Sequence, residues 1–339
     1  MDHAVHVYPE TRTTLVAAVT RIVGAARAAF PGSALHHAVE RSLFVSRSLA
    51  CFPVASTWYA WLDTPPMAAV TRTNTSLFRK IIRPYLTPQW SNVQKLATPR
   101  SHYQFLSTRL TRTAFLDVCT RNGVLLLRFA AADGTVIQLR CVTDGKYRKE
   151  GEQSLMVYSE RHGVTVSTLT FVLDQQADGS WVMIIGGTQG LPRGTDKRVI
   201  TEITKSLHGL RPRALLLFVA QQLATAWRLD AIRAVSDAVH VSRHVDYALN
   251  RARRPRLAYD AFWQESGGVL ASDGIYNLPA RHVARRLSDI KANKRSLYQH
   301  RYTMLDQLAV ALQLGLTRVG MAESTERDPQ HPSRVLAER

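Results

Sequence analysis

The spacing of apolar residues changes along the 339-residue chain, and the change separates a helical part from a strand-rich part. From about residue 13 to 112, apolar residues recur at helical spacing, as Leu15, Val19 and Ile22 do. Short apolar runs replace this spacing around residue 123. The pattern therefore predicts a mainly helical N-terminal region.

Turn dipeptides separate the apolar runs that follow. The pairs Asp133-Gly134 and His162-Gly163 each lie between two such runs, and one more run begins at Trp181. Runs of strand length joined by turn pairs are typical of hairpins. We predict a largely antiparallel meander of about five strands.

A helix that is apolar on nearly every side follows the meander. Between Ala214 and Trp227 only three residues are polar, so the helix must be buried. Pro212 suits its first position, because the N–H that proline lacks would have no partner there. Gly209 suits the left-handed end of a preceding helix, over about residues 196–207.

The remaining patterns complete an α+β fold. A short strand at Ile232–Val235, an aromatic helix ending at Gly267 and another short strand precede a long, basic helical pattern from Arg281 to about Leu316. We predict a mixed, mainly antiparallel sheet flanked by helices, with helical regions at both ends. The predicted divisions are a helical region (1–112), an α/β domain (113–280), a basic helical segment (281–318) and a disordered tail (319–339).

Composition adds a preference for anions. The chain is 45% hydrophobic and 21% charged, which describes a globular protein, and its net charge is +18. That charge favours nucleic acid, acidic lipid or a phosphorylated cofactor without choosing among them.

The cysteines and the apolar runs indicate the compartment. Cys51, Cys119 and Cys141 are odd in number and widely spaced, so we predict neither a disulfide framework nor a metal site. The N-terminus lacks a signal-peptide pattern, and no uncharged apolar run reaches about 20 residues. We predict a cytoplasmic protein.

The start of the apolar helix is a candidate phosphate site. Backbone N–H groups after Pro212, flanked by Arg211 and Arg213, resemble the anion-binding ends of other helices. An ordinary corner between two helices, with solvated arginines, explains the same pattern.

Polar residues after the short strand are candidates for a ligand crevice. Ser236, Asp237 and His240 follow its carboxyl end, where ligands often bind, although a helix cap explains Ser236 or Asp237 equally well. Glu150 and Glu152, in the loop between the two hairpins, are candidate general bases, although carboxylates of this kind are usually surface groups.

The aromatic helix carries further candidates. Tyr259, Phe262 and Trp263 can share one face, for which packing in the core is the usual reason. Glu265, near the carboxyl end of that helix, opposes the helix dipole and therefore needs another favourable partner.

Several of these runs together resemble the VirK/YbjX-like family of Gram-negative bacteria. The runs are IIGGTQG, ITEITKSLHGLRPRALLLFVAQQLA, AIRAVSDAVHV, YDAFWQESGG and KRSLYQHRYTMLD. The resemblance covers about residues 40–315 and is most specific from His208 to Gly268. It implies an association with virulence and antimicrobial-peptide resistance, without an agreed biochemical activity.

A more distant resemblance, over about residues 120–280, is to the GCN5-related N-acetyltransferase fold. The meander, a helix with a phosphate-binding start, a strand and an aromatic helix with a following glycine occur in that order. The resemblance implies an acetyltransferase-like sheet with coenzyme A bound at the helix start. The candidate cofactor-binding residues are His208, Gly209, Arg211, Arg213 and Ala214.

Two departures from that fold concern activity. Arg211, Pro212 and Arg213 replace most of the glycines of the fold's phosphate loop. Trp263 occupies the position that often supplies a tyrosine acid, and indole has no titratable proton to donate. Tyr259, one turn earlier, is the candidate acid.

Two functions follow. The first is acyl transfer from acyl-coenzyme A to an amine, with His240, Glu265 or Glu152 as base. The other residues of the predicted pocket are Gln189, Ser236, Asp237 and Trp263. The alternative is a non-catalytic protein that binds an anionic lipid or envelope-related partner, peripheral to the inner membrane. Nucleic-acid binding rests on charge alone and ranks last.

Overall fold

A computed structural model describes residues 14–120, 123–143, 145–244 and 258–322. In it the N-terminal residues form a layer of helices, as their spacing predicts. Thr14 and the Ser91–Gln94 capping box begin two of these helices by accepting backbone N–H groups. The helices are α1 (Leu15–Ala29), α2 (Leu35–Ala50), α3 (Phe52–Leu62), α4 (Met67–Thr73), α5 (Asn92–Arg109) and α6 (Arg112–Val118), with a 3₁₀ helix at Thr75–Ile82.

The apolar runs of the middle region form one mixed sheet. Its order is β1-β2-β3-β4-β5-β6-β8-β7, and each neighbouring pair is antiparallel except β5 and β6. The five-strand meander and the α+β class are confirmed. The strands are β1 (Val124–Ala130), β2 (Val136–Val142), β3 (Gln153–Ser159), β4 (Val164–Gln175), β5 (Trp181–Gln189), β6 (Ala231–Val235), β7 (Val269–Leu270) and β8 (Ile275–Leu278).

Two helices connect the parallel strands. α7 (Arg198–Ser206) ends in a left-handed turn at His208 and Gly209, with φ of +51° and +73°. α8 (Pro212–Ala226) then packs on the sheet, with Leu215 and Leu216 fully buried. The buried helix with Pro212 at its first position, and the left-handed end of the preceding helix at Gly209, are therefore as predicted.

The two parallel strands pair over only part of their length. Val182–Ile185 of β5 pairs with Ala231–Ala234 of β6, and β5 then continues to Gln189 while β6 ends at Val235. Gly186 forms a bulge against β4 at this point. A Cβ on Gly186 would lie 1.8 Å from the carbonyl oxygen of Glu150, so only glycine permits this approach.

The C-terminal helix begins later than the sequence predicts. α9 (Tyr259–Glu265) precedes β7, and α10 runs over Arg295–Arg318. Residues 281–294 contain two short 3₁₀ turns and no α-helix, so the prediction of a helix from Arg281 is wrong. The physical reason is that only Ile290 in this segment is buried, so a helix there would have no apolar face to pack.

The tail predicted to be disordered lies mostly outside the described residues, which end at 322. Among the helices of the described ranges, none combines the length and the apolar character needed to cross a membrane.

Candidate functional site

Four polar side chains meet where β5 and β6 stop pairing. Glu150 comes from the turn before β3, Gln189 from the end of β5, His240 from the turn after β6 and Tyr259 from the start of α9. Gln189 Nε2 lies 3.2 Å from both carboxylate oxygens of Glu150 and 3.1 Å from Tyr259 Oη. His240 Nε2 lies 3.7 Å from Glu150 Oε1. We call these four residues the strand-end cluster.

Glycine makes room for this cluster. A Cβ on Gly187 would lie 2.4 Å from Glu150 Oε2 and 3.0 Å from Tyr259 Oη. The bare backbone of β5 therefore lets a carboxyl and a phenol approach the same point.

Burial sets the protonation states. The side chain of Glu150 is 12% exposed and that of His240 is 1% exposed. Burial raises the pKa of Glu150 to about 7, against the opposing effect of the Gln189 hydrogen bond. Burial, with a smaller contribution from Arg243, lowers the pKa of His240 to about 4. At neutral pH the imidazole is therefore uncharged, and the carboxyl lies near its midpoint.

The hydrogen bonds of His240 define its tautomer. The backbone N–H of Ser242 donates to Nδ1 at 3.1 Å, so the ring proton resides on Nε2. Nε2 faces Glu150 without a hydrogen bond of normal geometry. Tyr259 stays protonated at neutral pH, because burial and then the charge of Glu150 raise its pKa above the ordinary value. The cluster thus combines a titrating carboxyl with two neutral donors.

Asp237 positions Tyr259. Its carboxylate accepts the Tyr259 backbone N–H at 3.0 Å, and Asp260 accepts the Asp237 N–H at 2.9 Å. Trp263 Nε1 donates to the carbonyl oxygen of Val235 at 3.1 Å, and its side chain is fully buried. These residues join α9 to the end of β6, and Asp237 accepts the first N–H of a helix that begins 22 residues further along the chain.

Ser236 is buried beside them at the end of β6. Its hydroxyl has no hydrogen-bond partner among the described residues. A buried hydroxyl without a partner is costly in a folded protein. Ser236 therefore presents a polar group that a ligand could satisfy.

The arginines at the start of α8 have partners on α9. Arg211 Nη2 forms an ion pair with Glu265, and the Arg213 guanidinium lies 4.4 Å from the ring centroid of Phe262. Both members of the ion pair are about half exposed. The hydrogen bond from Arg211 lowers the pKa of Glu265, which explains how a carboxylate is tolerated at the end of that helix.

The backbone before α8 is held by a residue that the sequence did not indicate. Arg301, from α10, donates to the carbonyl oxygen of His208 from Nε and Nη2, at 3.0 and 2.9 Å. The ring of His208 stacks on His300, with centroids 5.5 Å apart. The N–H of Ala214 bonds to the Arg211 carbonyl oxygen within the first turn of α8. The positive charge at the start of α8 therefore comes from arginine side chains.

Glu152 belongs to a different cluster. Its carboxylate forms an ion pair with Lys80 and accepts a hydrogen bond from Tyr103 Oη at 3.0 Å. Lys80 also donates to the carbonyl oxygen of Arg148 at 2.8 Å. This pair joins the 3₁₀ helix to the turn that carries Glu150. Glu152 is thus placed in the protein interior, apart from the other candidate bases.

The chain matches known proteins over most of its length. Residues 34–313 match the family described as "Protein of unknown function (DUF535)". The chain is 29% identical over 279 residues to "Uncharacterized protein YbjX" of Escherichia coli, covering 82% of this chain and 84% of that protein. It is 31% identical over 131 residues to an "Uncharacterized protein" of Haemophilus influenzae, covering 39% of this chain and 43% of that protein. The strand-end cluster lies within the matched family region.

Proposed function

We propose that this chain, which belongs to the DUF535 family and so to the VirK/YbjX-like group, transfers an acyl group from acyl-coenzyme A to an amine. The observation that carries the proposal is the strand-end cluster. A buried carboxyl with a pKa of about 7 faces an imidazole N–H where two parallel strands stop pairing. Parallel strands expose ligand crevices at their carboxyl ends, and a base is most effective when its pKa is close to the working pH.

Glu150 is the base in this proposal. An amine must lose a proton as its nitrogen bonds to the acyl carbon, and the Glu150 carboxylate receives that proton. In this proposal the Nε2–H of His240, which lies 3.7 Å from Glu150 Oε1, moves to hydrogen-bond distance and stabilises the ionised carboxylate. Tyr259 keeps its phenolic proton and donates a hydrogen bond to the sulfur as the C–S bond of the thioester breaks. Coenzyme A leaves as a thiolate, which takes up the proton held by Glu150, so that the products are the amide and the coenzyme A thiol. The thioester supplies the activated acyl group.

The start of α8 fits the phosphates of coenzyme A by charge. Arg211 and Arg213 lie beside a helix N-terminus, and Arg211 is about half exposed. Its partner Glu265 is an exposed carboxylate, which a phosphate can replace on the guanidinium. Tyr259 and Glu265 begin and end α9, roughly 9 Å apart at 1.5 Å per residue. One extended ligand can therefore contact both the arginines and the cluster.

The test is binding of coenzyme A, acetyl-coenzyme A and a long-chain acyl-coenzyme A, followed by thermal unfolding. A ligand at about 100 times its Kd adds about 2.7 kcal/mol of stability, which raises the unfolding temperature visibly. Each charge-assisted hydrogen bond contributes about 1.5–3 kcal/mol. We expect Arg211→Gln/Arg213→Gln to weaken binding by roughly a hundredfold or more.

The matched control is Arg112→Gln/Arg318→Gln, which removes two exposed charges from α6 and α10. It changes the net charge equally, so its binding should stay close to that of the wild type. Equal binding by the Arg211/Arg213 variant and the wild type would remove the phosphate site from the proposal.

The acceptor in this proposal carries a primary amine. Acylation removes the positive charge of an ammonium group and so weakens its attraction to anionic surfaces. An amine on an envelope component or on a cationic peptide fits the association with virulence and antimicrobial-peptide resistance that the family resemblance implies.

The second candidate function is non-catalytic binding of an anionic lipid or envelope-related partner. The segment before α10 supports it, because its cations are exposed and do not lie on an α-helix. These residues are Arg281, Arg285, Arg286, Lys291 and Lys294. Stabilisation by acidic lipid headgroups, with no effect of any thioester, would favour this function over acyl transfer.

A further inference from the structure

An apolar face is exposed on the first two helices, far along the chain from the strand-end cluster. On α2, Leu35, Val39 and Leu43 follow one another at intervals of four residues. They are 82%, 53% and 52% exposed, although such side chains are usually buried. The opposite side of the helix carries Phe44 and Ser48 into the core. α2 is therefore apolar on two sides, and only one of them packs on the protein.

A second, partly apolar surface lies between α1 and α2. A groove with a volume of about 390 Å³ separates these helices. Four of its eight lining residues are apolar, and the others are two arginines and two serines. The lining residues are Val23, Ala26, Arg27, Arg41, Ser42, Val45, Ser46 and Leu49. Exposed apolar surface with a polar border is typical of a docking face.

The charges around this face are almost all positive. Between Leu15 and Ala50, every residue of which the structure describes, there are four arginines and one carboxylate, Glu40, and one of the arginines, Arg21, is paired with Asp63 at the end of α3. Arg27 and Arg47 are exposed. An apolar helix face bordered by arginine matches a bilayer surface of acidic phospholipid, where apolar residues enter the acyl boundary and arginines meet phosphates.

A second copy of the chain fits less well. A twofold dimer would bring the same arginines of two molecules, each with a net charge of +18, to one interface. We therefore propose that the α1–α2 face binds the surface of membranes that contain acidic phospholipid. The proposal does not depend on acyl transfer.

The test is co-sedimentation of the full chain with vesicles of phosphatidylcholine, alone or mixed with phosphatidylglycerol. We expect binding to the mixed vesicles that weakens as salt rises. Leu35→Ser/Val39→Ser/Leu43→Ser should weaken it at least tenfold with an unchanged Tm, because the three side chains are exposed. Arg27→Gln/Arg47→Gln should weaken binding and reduce its salt dependence.

The control is Val310→Ser/Leu314→Ser, which removes two α10 side chains that are 65% and 67% exposed. Equal loss in this control, or binding of the α2 variant at the wild-type level, would overturn the proposal. Binding to phosphatidylcholine alone that equals binding to the mixture would also overturn it. A third outcome would overturn it as well. In that outcome light scattering shows that the wild type is a dimer and the α2 variant a monomer, and neither protein binds vesicles.

Discussion

Glu150→Gln is expected to lower the rate of acyl transfer by roughly a hundredfold to ten-thousandfold, the usual contribution of a general base. Glutamine keeps the shape of the side chain and its contact with Gln189, but it cannot take a proton from the amine. The measurement is release of the coenzyme A thiol in the presence of an amine acceptor, with kcat and KM determined separately. We expect kcat to fall and KM to change little.

The same variant is expected to be more stable than the wild type at high pH. The pKa of Glu150 is about 7 in the folded protein and has its ordinary value of 4.5 in the unfolded chain. Its contribution to stability is therefore complete below about pH 4.5 and is lost as pH rises through about 7. That shift corresponds to about 3 kcal/mol. Glutamine does not ionise, so the variant should exceed the wild type by up to about that amount in alkaline buffer.

The control for both measurements is Glu202→Gln. Glu202 lies on α7, and its exposed carboxylate pairs with His162. Its rate and its pH dependence of stability should follow the wild type. A Glu150→Gln variant with the wild-type rate would exclude Glu150 as the base. A stability difference independent of pH would show that the carboxyl ionises at its ordinary pKa.

Lys80→Met is expected to destabilise the protein by about 3–5 kcal/mol, the usual cost of leaving a buried charge without its partner. The side chains of Lys80 and Glu152 are 5% and 2% exposed. Burial lowers the pKa of Lys80, and the attraction of Glu152 opposes this effect. Each charge of the pair therefore offsets part of the cost of burying the other. The double variant Lys80→Met/Glu152→Gln should recover much of the loss. Urea unfolding at constant pH measures both free energies.

The comparison for this prediction is Arg21→Met, which breaks the exposed ion pair of Arg21 with Asp63 on the outside of the helical layer. Exposed pairs contribute about 1 kcal/mol or less, so this variant should lose little. If Lys80→Met lowers the free energy of unfolding no more than Arg21→Met does, the buried pair does not stabilise the contact between the helical layer and the sheet. If the double variant is no more stable than Lys80→Met, the loss comes from packing.

The fold was predictable wherever local pattern and tertiary packing agree. Turn pairs such as Asp133-Gly134 specify hairpins locally, and the apolar run of α8 can only be buried. The residues after Arg281 have good helical propensity, but they pack against little of the protein, so the helix begins only at Arg295. Propensity alone could not reveal this absence of a packing partner.

The site was less predictable, because its contacts join distant parts of the chain. Gln189, His240 and Tyr259 were candidates from the sequence, and the structure brings them together. Glu150 and Glu152 looked alike in one charged loop, yet one faces the cluster and the other pairs with Lys80, 72 residues away. Arg211 and Glu265 are 54 residues apart. Spacing along the chain carries no signal for such pairings.

The pH dependence of kcat/KM tests the role of Glu150 most directly, because this parameter reports the ionisation of the free enzyme. The acceptor should be a weakly basic amine that stays uncharged across the range, so that its own titration does not contribute. If Glu150 is the base, kcat/KM rises with pH through one ionisation near the pKa of about 7 in the folded protein, and the rise disappears in Glu150→Gln. A profile that is flat through neutral pH, or thioesters that are never consumed, would contradict the proposed function.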